Sequence, residues 1–205
     1  MALLREKVLH SQLHRAKNIL WNEWHQEKRP GVCPGLRMGE RAPAFSLPDM
    51  DGENVTLNQL LLQGPVVLLF CFGGWIHAET ERLRSYQEAS PLLRQMGAQT
   101  VVAASGRVTA LQEELQHMSF SGKVLADTNA VTASWYNACI SCRDYLLQDV
   151  PEVKAALRFA GYYSYCPADV TYVIDQDGTV AASVWEAARP NPYWIVNELI
   201  QLKER

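Results

Sequence analysis

The stretch Val66–Leu83, VVLLFCFGGWIHAETERL, constrains this chain more than any other. Seven apolar residues, Val66 to Phe72, lead into Gly73-Gly74-Trp75, and a polar segment beginning near His77 has helical spacing. A short unbroken apolar run between turn residues reads as a strand buried on both faces, as in a parallel sheet covered by helices. The unit is strand, tight turn, helix. In such a unit the helix N-terminus points unpaired N–H groups and the positive end of its dipole at the turn, where a thiolate or another anion is most stabilised. Chemistry is expected there.

The rest of the chain supplies the layers that such a strand needs. Residues 3–27 carry Leu4, Val8, Leu9, Leu13, Ile19, Leu20 and Trp24 at helical spacing among charged residues, which predicts an amphipathic helix over 1–28. It either packs on the domain or offers Trp21 and Trp24 to a homodimer contact. Residues 29–38, rich in proline and glycine, read as a linker, and 39–205 as one domain. Two short strands are expected around Met50-Asp51-Gly52, then a short helix over Leu57–Gln63 closed by Gly64. The helix after the turn is expected to kink or restart at Ser90-Pro91 and to end at Gly97.

Beyond it, Gln99–Ser105 reads as a buried strand, and Thr109 with Gln112 as a capping box opening the next helix. Lys123–Ala126 reads as a strand, Asn129–Tyr136 as a helix, and a further helix opens at Pro151. Val170–Ile174 and Thr179–Val184 flank Asp175-Gln176-Asp177-Gly178 as an antiparallel hairpin. A last helix starts with Asn191 as cap and Pro192 in the first turn. Strands alternating with helices, then a hairpin and a closing helix, predict an α/β thioredoxin-like mixed sheet with helices on both faces.

Four motifs carry a family resemblance: Gly39-Glu40-Arg41-Ala42-Pro43-Ala44-Phe45-Ser46-Leu47-Pro48, Gly64-Pro65 through Gly73-Gly74-Trp75, Val173-Ile174-Asp175-Gln176-Asp177-Gly178, and Arg189-Pro190. In order and spacing the chain resembles the peroxiredoxin-like branch of the alkyl hydroperoxide reductase and thiol-specific antioxidant proteins. The resemblance implies a peroxiredoxin-type thioredoxin fold and a thiol-dependent oxidoreductase with antioxidant activity. In that branch Gly-Gly-Trp is usually followed by Cys-Pro-Tyr-Cys, whereas this chain has Ile76-His77-Ala78-Glu79. A peroxide is attacked by a thiolate that then passes through sulfenic acid. Ile76 cannot do this, so redox activity would use thiols elsewhere.

Three cysteines are candidates for that role. Cys139 and Cys142 form the chain's CxxC, a spacing that suits a redox disulfide, and Cys166 precedes Pro167 near where the thioredoxin fold brings a loop against the site turn. The bland alternative is small structural thiols. Cys71 reads as a core residue of the central strand. His77 is a candidate proton donor or acceptor with Glu79 beside it at the helix start, against the alternative of two solvated side chains. Trp75 resembles the family's aromatic at the site mouth and Arg189 its Arg-Pro arginine, whose guanidinium could hold an anionic or peroxide-like ligand.

Composition bounds the partners. A net charge of −3 provides no electrostatic footprint for nucleic acid or an anionic membrane, and the apolar runs fall short of a bilayer span. Residues 1–28 are too charged throughout for a signal peptide, and five irregularly spaced cysteines do not form a secreted disulfide framework. A cytoplasmic protein with a small-molecule or thiol redox partner, no metal and no cofactor is the expectation. Its alternatives are a binding or scaffold protein that has lost thiol chemistry, or a repurposed non-redox site around His77.

Overall fold

The computed structural model describes residues 35–71, 77–115, 120–141, 165–185 and 191–204. The 1–28 helix, the helix opening at Pro151 and the residues Cys33, Trp75, Cys142 and Arg189 lie outside them. Its centre is β3 (Val66–Cys71), whose six residues are all buried. β3 pairs in parallel with β4 (Gln99–Ala104), which pairs in parallel with β5 (Lys123–Ala126). On its other side β3 runs antiparallel to β8 (Val170–Ile174), which turns back into β9 (Val180–Trp185). The five strands lie in the order β5-β4-β3-β8-β9.

Alternation along β3 splits the core in two. Val66, Leu68 and Phe70 face one cluster, while Val67, Leu69 and Cys71 face another. The first is closed by β1 (Ser46–Pro48) and β2 (Asn54–Thr56), by α1 (Leu57–Leu61) and by α4 (Val131–Trp135). The second is closed by α2 (His77–Gln95), α3 (Val108–Leu115) and α5 (Tyr193–Lys203). Helices on both faces of a mixed sheet make this a thioredoxin-like fold.

Local chemistry sets the element ends. α1 opens on a capping box, with Thr56 Oγ1 accepting from Gln59 N–H and Gln59 Oε1 accepting from Thr56 N–H. Gly64 follows at φ +141°, and a Cβ there would collide with the Gly97 carbonyl, so only glycine fits. The β1–β2 turn carries Gly52 and the β8–β9 turn Gly178, both at φ +84°, as the two Asp-Gly signals require.

Four elements differ from expectation. α2 runs through Pro91 as one helix, because Leu83, Tyr86, Ala89 and Leu93 bury a continuous stripe on both sides of it while Pro91 itself is exposed. α3 begins at Val108, so Thr109 lies inside it and does not cap it; Gln112 Nε2 instead donates to the Met50 carbonyl. The helix expected over Asn129–Tyr136 is broken: residues Thr128–Ala130 form a 3-10 turn with Asn129 and Ala130 at positive φ, and α4 starts only at Val131. The closing helix begins one residue later than expected, with Asn191 Oδ1 accepting from Tyr193 N–H.

A buried tyrosine ties the domain's entry to its core. Tyr172 Oη accepts from Leu36 N–H at 3.2 Å and donates to the Tyr136 carbonyl at 2.6 Å. Tyr172, Tyr136 and Phe70 pack with ring centroids 5.2 to 6.0 Å apart. Tyr172→Phe keeps the rings but removes both hydrogen bonds, and is expected to lower unfolding stability by about 2 kcal/mol. Urea denaturation followed by tryptophan fluorescence checks this; an unchanged midpoint would show that the hydroxyl contributes nothing.

Candidate functional site

The C-terminal end of β3 is where an open α/β sheet places its chemistry. Two features meet there. One is a buried guanidinium. Arg82 lies one turn before Tyr86 on the inward stripe of α2 and is only 1% exposed. The pairing of β3 with β8 ends at Leu69↔Thr171. One residue on, the Cys71 carbonyl is taken from the β4 side by Ser105 N–H, so the Phe70 carbonyl points to the other side, where the ladder has stopped. Arg82 Nη1 fills that gap, donating to Phe70 O at 2.8 Å.

The same nitrogen lies 3.3 Å from Asp169 Oδ1 and 3.6 Å from Cys71 Sγ, and Nη2 donates to Thr171 Oγ1 at 2.7 Å. Tyr86 Oη in turn donates to Thr171 Oγ1 at 3.2 Å. A charge withdrawn this far from water persists only when paired and hydrogen-bonded, and here one helix, two strand ends and a loop supply the partners. Arg82, Asp169 and Thr171 were not among the residues singled out from sequence. The signal was present: a charged residue in phase with Tyr86 and Ala89 on an apolar stripe.

The other feature is a two-stranded ribbon of β6 (Cys139–Ser141) and β7 (Tyr165–Pro167). Its register sets Cys139 against Pro167 and Ile140 against Cys166. Two cysteine-bearing segments that are 27 positions apart between Cys139 and Cys166 therefore run side by side. Cys142 follows the last residue of β6. β7 leads through Ala168 into Asp169, so the Arg82 ion pair anchors the exit of the ribbon beside β3.

Cys139 is 3% exposed and donates its thiol to the Ala130 carbonyl at 3.6 Å. His77 is the first residue of α2, and the side chains of His77, Glu79 and Cys166 lie outside the described residues.

An open groove of about 610 Å³ lies on the other face of the sheet, lined by Phe45, Leu47, Pro48, Asp127, Val131 and Trp135 among others. Trp135 is 54% exposed. Asp127, at the end of β5, accepts from Thr132 N–H at 2.9 Å and Ala133 N–H at 2.8 Å. Burial nonetheless pushes its carboxyl above the ordinary carboxylate range, with those hydrogen bonds pulling the other way.

With this geometry in place, the comparisons with known proteins agree. The AhpC/TSA family matches residues 38–183, and the chain belongs to that family. Among solved structures it is similar to the peroxidoxin BcpB from Mycobacterium tuberculosis, at 20% identity and TM-score 0.65, covering 82% of this chain and 97% of that one. It is also similar to Mycobacterium tuberculosis AhpC, at 13% identity and TM-score 0.61, covering 83% and 94%. A third is a putative thiol:disulfide interchange protein DsbE from Chlorobium tepidum, at 16% identity and TM-score 0.57, covering 82% and 98%. None of the curated proteins matches the sequence.

Two outcomes are expected. Asp169→Asn removes a carboxylate charge from beside the buried Arg82 guanidinium and should cost about 3 kcal/mol or more. Adding Arg82→Met should then cost far less than the sum of the two single changes, and a double-mutant cycle in urea reads that coupling; additive costs would mean the pair is not coupled. For Asp127 the folded pKa is raised, so its ionisation opposes folding. Stability from this group is full below the unfolded value near 3.8 and falls as pH rises through the higher folded value. Asp127→Asn should flatten that part of the stability-pH curve.

Proposed function

We propose that this chain is a thiol-dependent oxidoreductase of the peroxiredoxin-like lineage that works through the cysteines of the β6–β7 ribbon, Ile76 standing where the family places its peroxidatic thiol. The observation that carries the reading is the ribbon register, which brings the CxxC segment beside the segment bearing Cys166. Cys142 and Cys166 are the proposed working thiols. Cys139 is the weaker candidate, because a buried thiol that serves as a hydrogen-bond donor is held in its neutral, unreactive form.

In the proposed cycle one thiolate attacks a peroxide oxygen. The S–O bond forms, the O–O bond breaks, and water or an alcohol leaves with the thiol's proton. The second thiol attacks the sulfenic sulfur and expels water, leaving a disulfide. A small-molecule or protein dithiol then reduces it by exchange. The cytoplasm, where such reductants are kept, is the proposed compartment.

A second reading, a binding protein without thiol chemistry, has one observation in its favour: the groove beside the exposed Trp135. One experiment separates the two. The reduced protein is pulsed with stoichiometric hydrogen peroxide, and its remaining thiols are alkylated and mapped by mass spectrometry. Rapid, selective loss at Cys142 and Cys166, with a disulfide between them, is the expected result. Slow and unselective loss at all five cysteines would overturn the redox reading and leave the groove as the working surface.

A further inference from the structure

The groove between β1 and α4 leaves apolar surface open that the ribbon chemistry does not use. Val131 and Trp135, one turn apart on α4, are both exposed beside it, and Phe45, Leu47 and Pro48 line it from the β1 side. Pro48 leads into the β1–β2 turn, where Asp49, Asp51 and Glu53 set three carboxylates close together, with Lys123 Nζ 3.5 Å from Asp49 Oδ2. An apolar groove with an acidic end fits a segment that is amphipathic and cationic.

The chain supplies one. Residues 1–34 precede the described domain. Among them Leu9, Leu13, Ala16, Leu20 and Trp24 recur at intervals of four and three, which a helix gathers into one stripe about 22 Å long. Six Lys and Arg against three Glu give residues 1–34 a net charge of +3, so the −3 of the whole chain leaves −6 on residues 35–205. The tether also ends on the right face. Leu36 belongs to the same core cluster as Phe45 and Leu47. Its N–H donates to Tyr172 Oη, which donates to the carbonyl of Tyr136, the residue after Trp135. The Tyr136 ring in turn packs on Phe45 with centroids 6.4 Å apart. The point where residues 1–34 join the domain is thus linked to the groove wall through two tyrosines. Linker residues 29–34 span at most about 20 Å, and a tether of that length holds the stripe near the groove at about millimolar effective concentration.

We propose that segment 1–28 docks in the groove of its own chain, with its apolar stripe on Val131 and Trp135 and its cationic flanks at the acidic β1–β2 turn. Docking withdraws the stripe and the two α4 side chains from water together. A ligand entering the groove has to displace the segment first. No cysteine takes part, so the proposal stands apart from the ribbon thiols.

The test is hydrogen exchange read by mass spectrometry on the full chain. Leu13→Asp with Leu20→Asp is expected to speed exchange of the α4 and β1 amides about tenfold, the effect of losing the burial of one large apolar side chain. Val131→Asp with Trp135→Asp should in turn speed exchange across residues 8–24, and joining the two pairs should add nothing further. The groove pair changes exposed positions, on which the domain core does not rest. The unaltered chain gives a second measurement: unlabelled and isotopically heavy chains are mixed and treated with a lysine-reactive crosslinker, and links from Lys17 to Lys123 are expected within one isotope only. Unchanged exchange at α4 and β1 in the Leu13 and Leu20 variant would overturn the proposal. Links that join the two isotopes would overturn it too, and would assign the groove to a second copy of this chain.

Discussion

Two-sided burial of β3 is the constraint on which the rest of the structure depends. Six consecutive residues with no exposed surface need a neighbour strand on each edge and an apolar layer on each face. β4 and β8 supply the edges, one parallel and one antiparallel. The faces divide the remaining elements between them: α2, α3 and α5 on the Cys71 side, α1, α4 and the β1–β2 pair on the Phe70 side. Leaving either face uncovered would return about 1.5–3 kcal/mol per large aliphatic side chain to water. This is why an N-terminal hairpin and a C-terminal helix, more than a hundred positions apart, belong to one cooperative unit.

A strand buried that deeply creates a difficulty where its pairing stops. The Phe70 carbonyl lies beyond the last β3–β8 pair, on a residue with no exposed surface, and needs a donor from elsewhere. A side chain long enough to reach it from α2 and rich enough in donors to justify its own burial resolves the difficulty. Arg82 meets both demands, and its planar fork lets one end of the side chain serve carbonyl, carboxylate and hydroxyl together. A lysine would present a single nitrogen to the same three acceptors. The cost is a charge in the core, which Asp169 offsets, and the consequence is that a cationic group is set permanently beside a thiol.

How far the sequence reveals this follows from the range of each interaction. Strand β3 and the two Asp-Gly turns are each written within a few residues, and they were legible; the capping box was sought at Thr109 and lies instead at Thr56 and Gln59, before α1. So was the mixed sheet with helices on both faces, since alternation of strand and helix followed by a hairpin leaves few arrangements. The break at Asn129-Ala130 was not, because two non-glycine residues at positive φ contradict local preference and are held by Asp127 accepting the Thr132 and Ala133 amides. At Pro91 the helix does not restart, because burial on either side of the proline holds α2 together. The Arg82 cluster joins residues 82 and 169, and no short-range signal pairs an arginine with an aspartate 87 positions away. The convergence of Cys139 with Cys166 is likewise a fact of register alone.

Peroxide reduction by a thiol needs a sulfur, is favoured by a positive potential that stabilises the thiolate, and closes into a disulfide where a second thiol is in reach. In this chain the helix start that should provide the first two carries Ile76 and His77. A positive charge lies further along α2, at Arg82, 3.6 Å from the sulfur of Cys71. The ribbon holds further sulfurs, and its exit is tied to that same arginine through Asp169. Asp169 lies three positions after Cys166, so the ion pair fastens the exit of the ribbon to α2. The packing of a single buried guanidinium thus ties the ribbon exit, α2 and the end of β3 together.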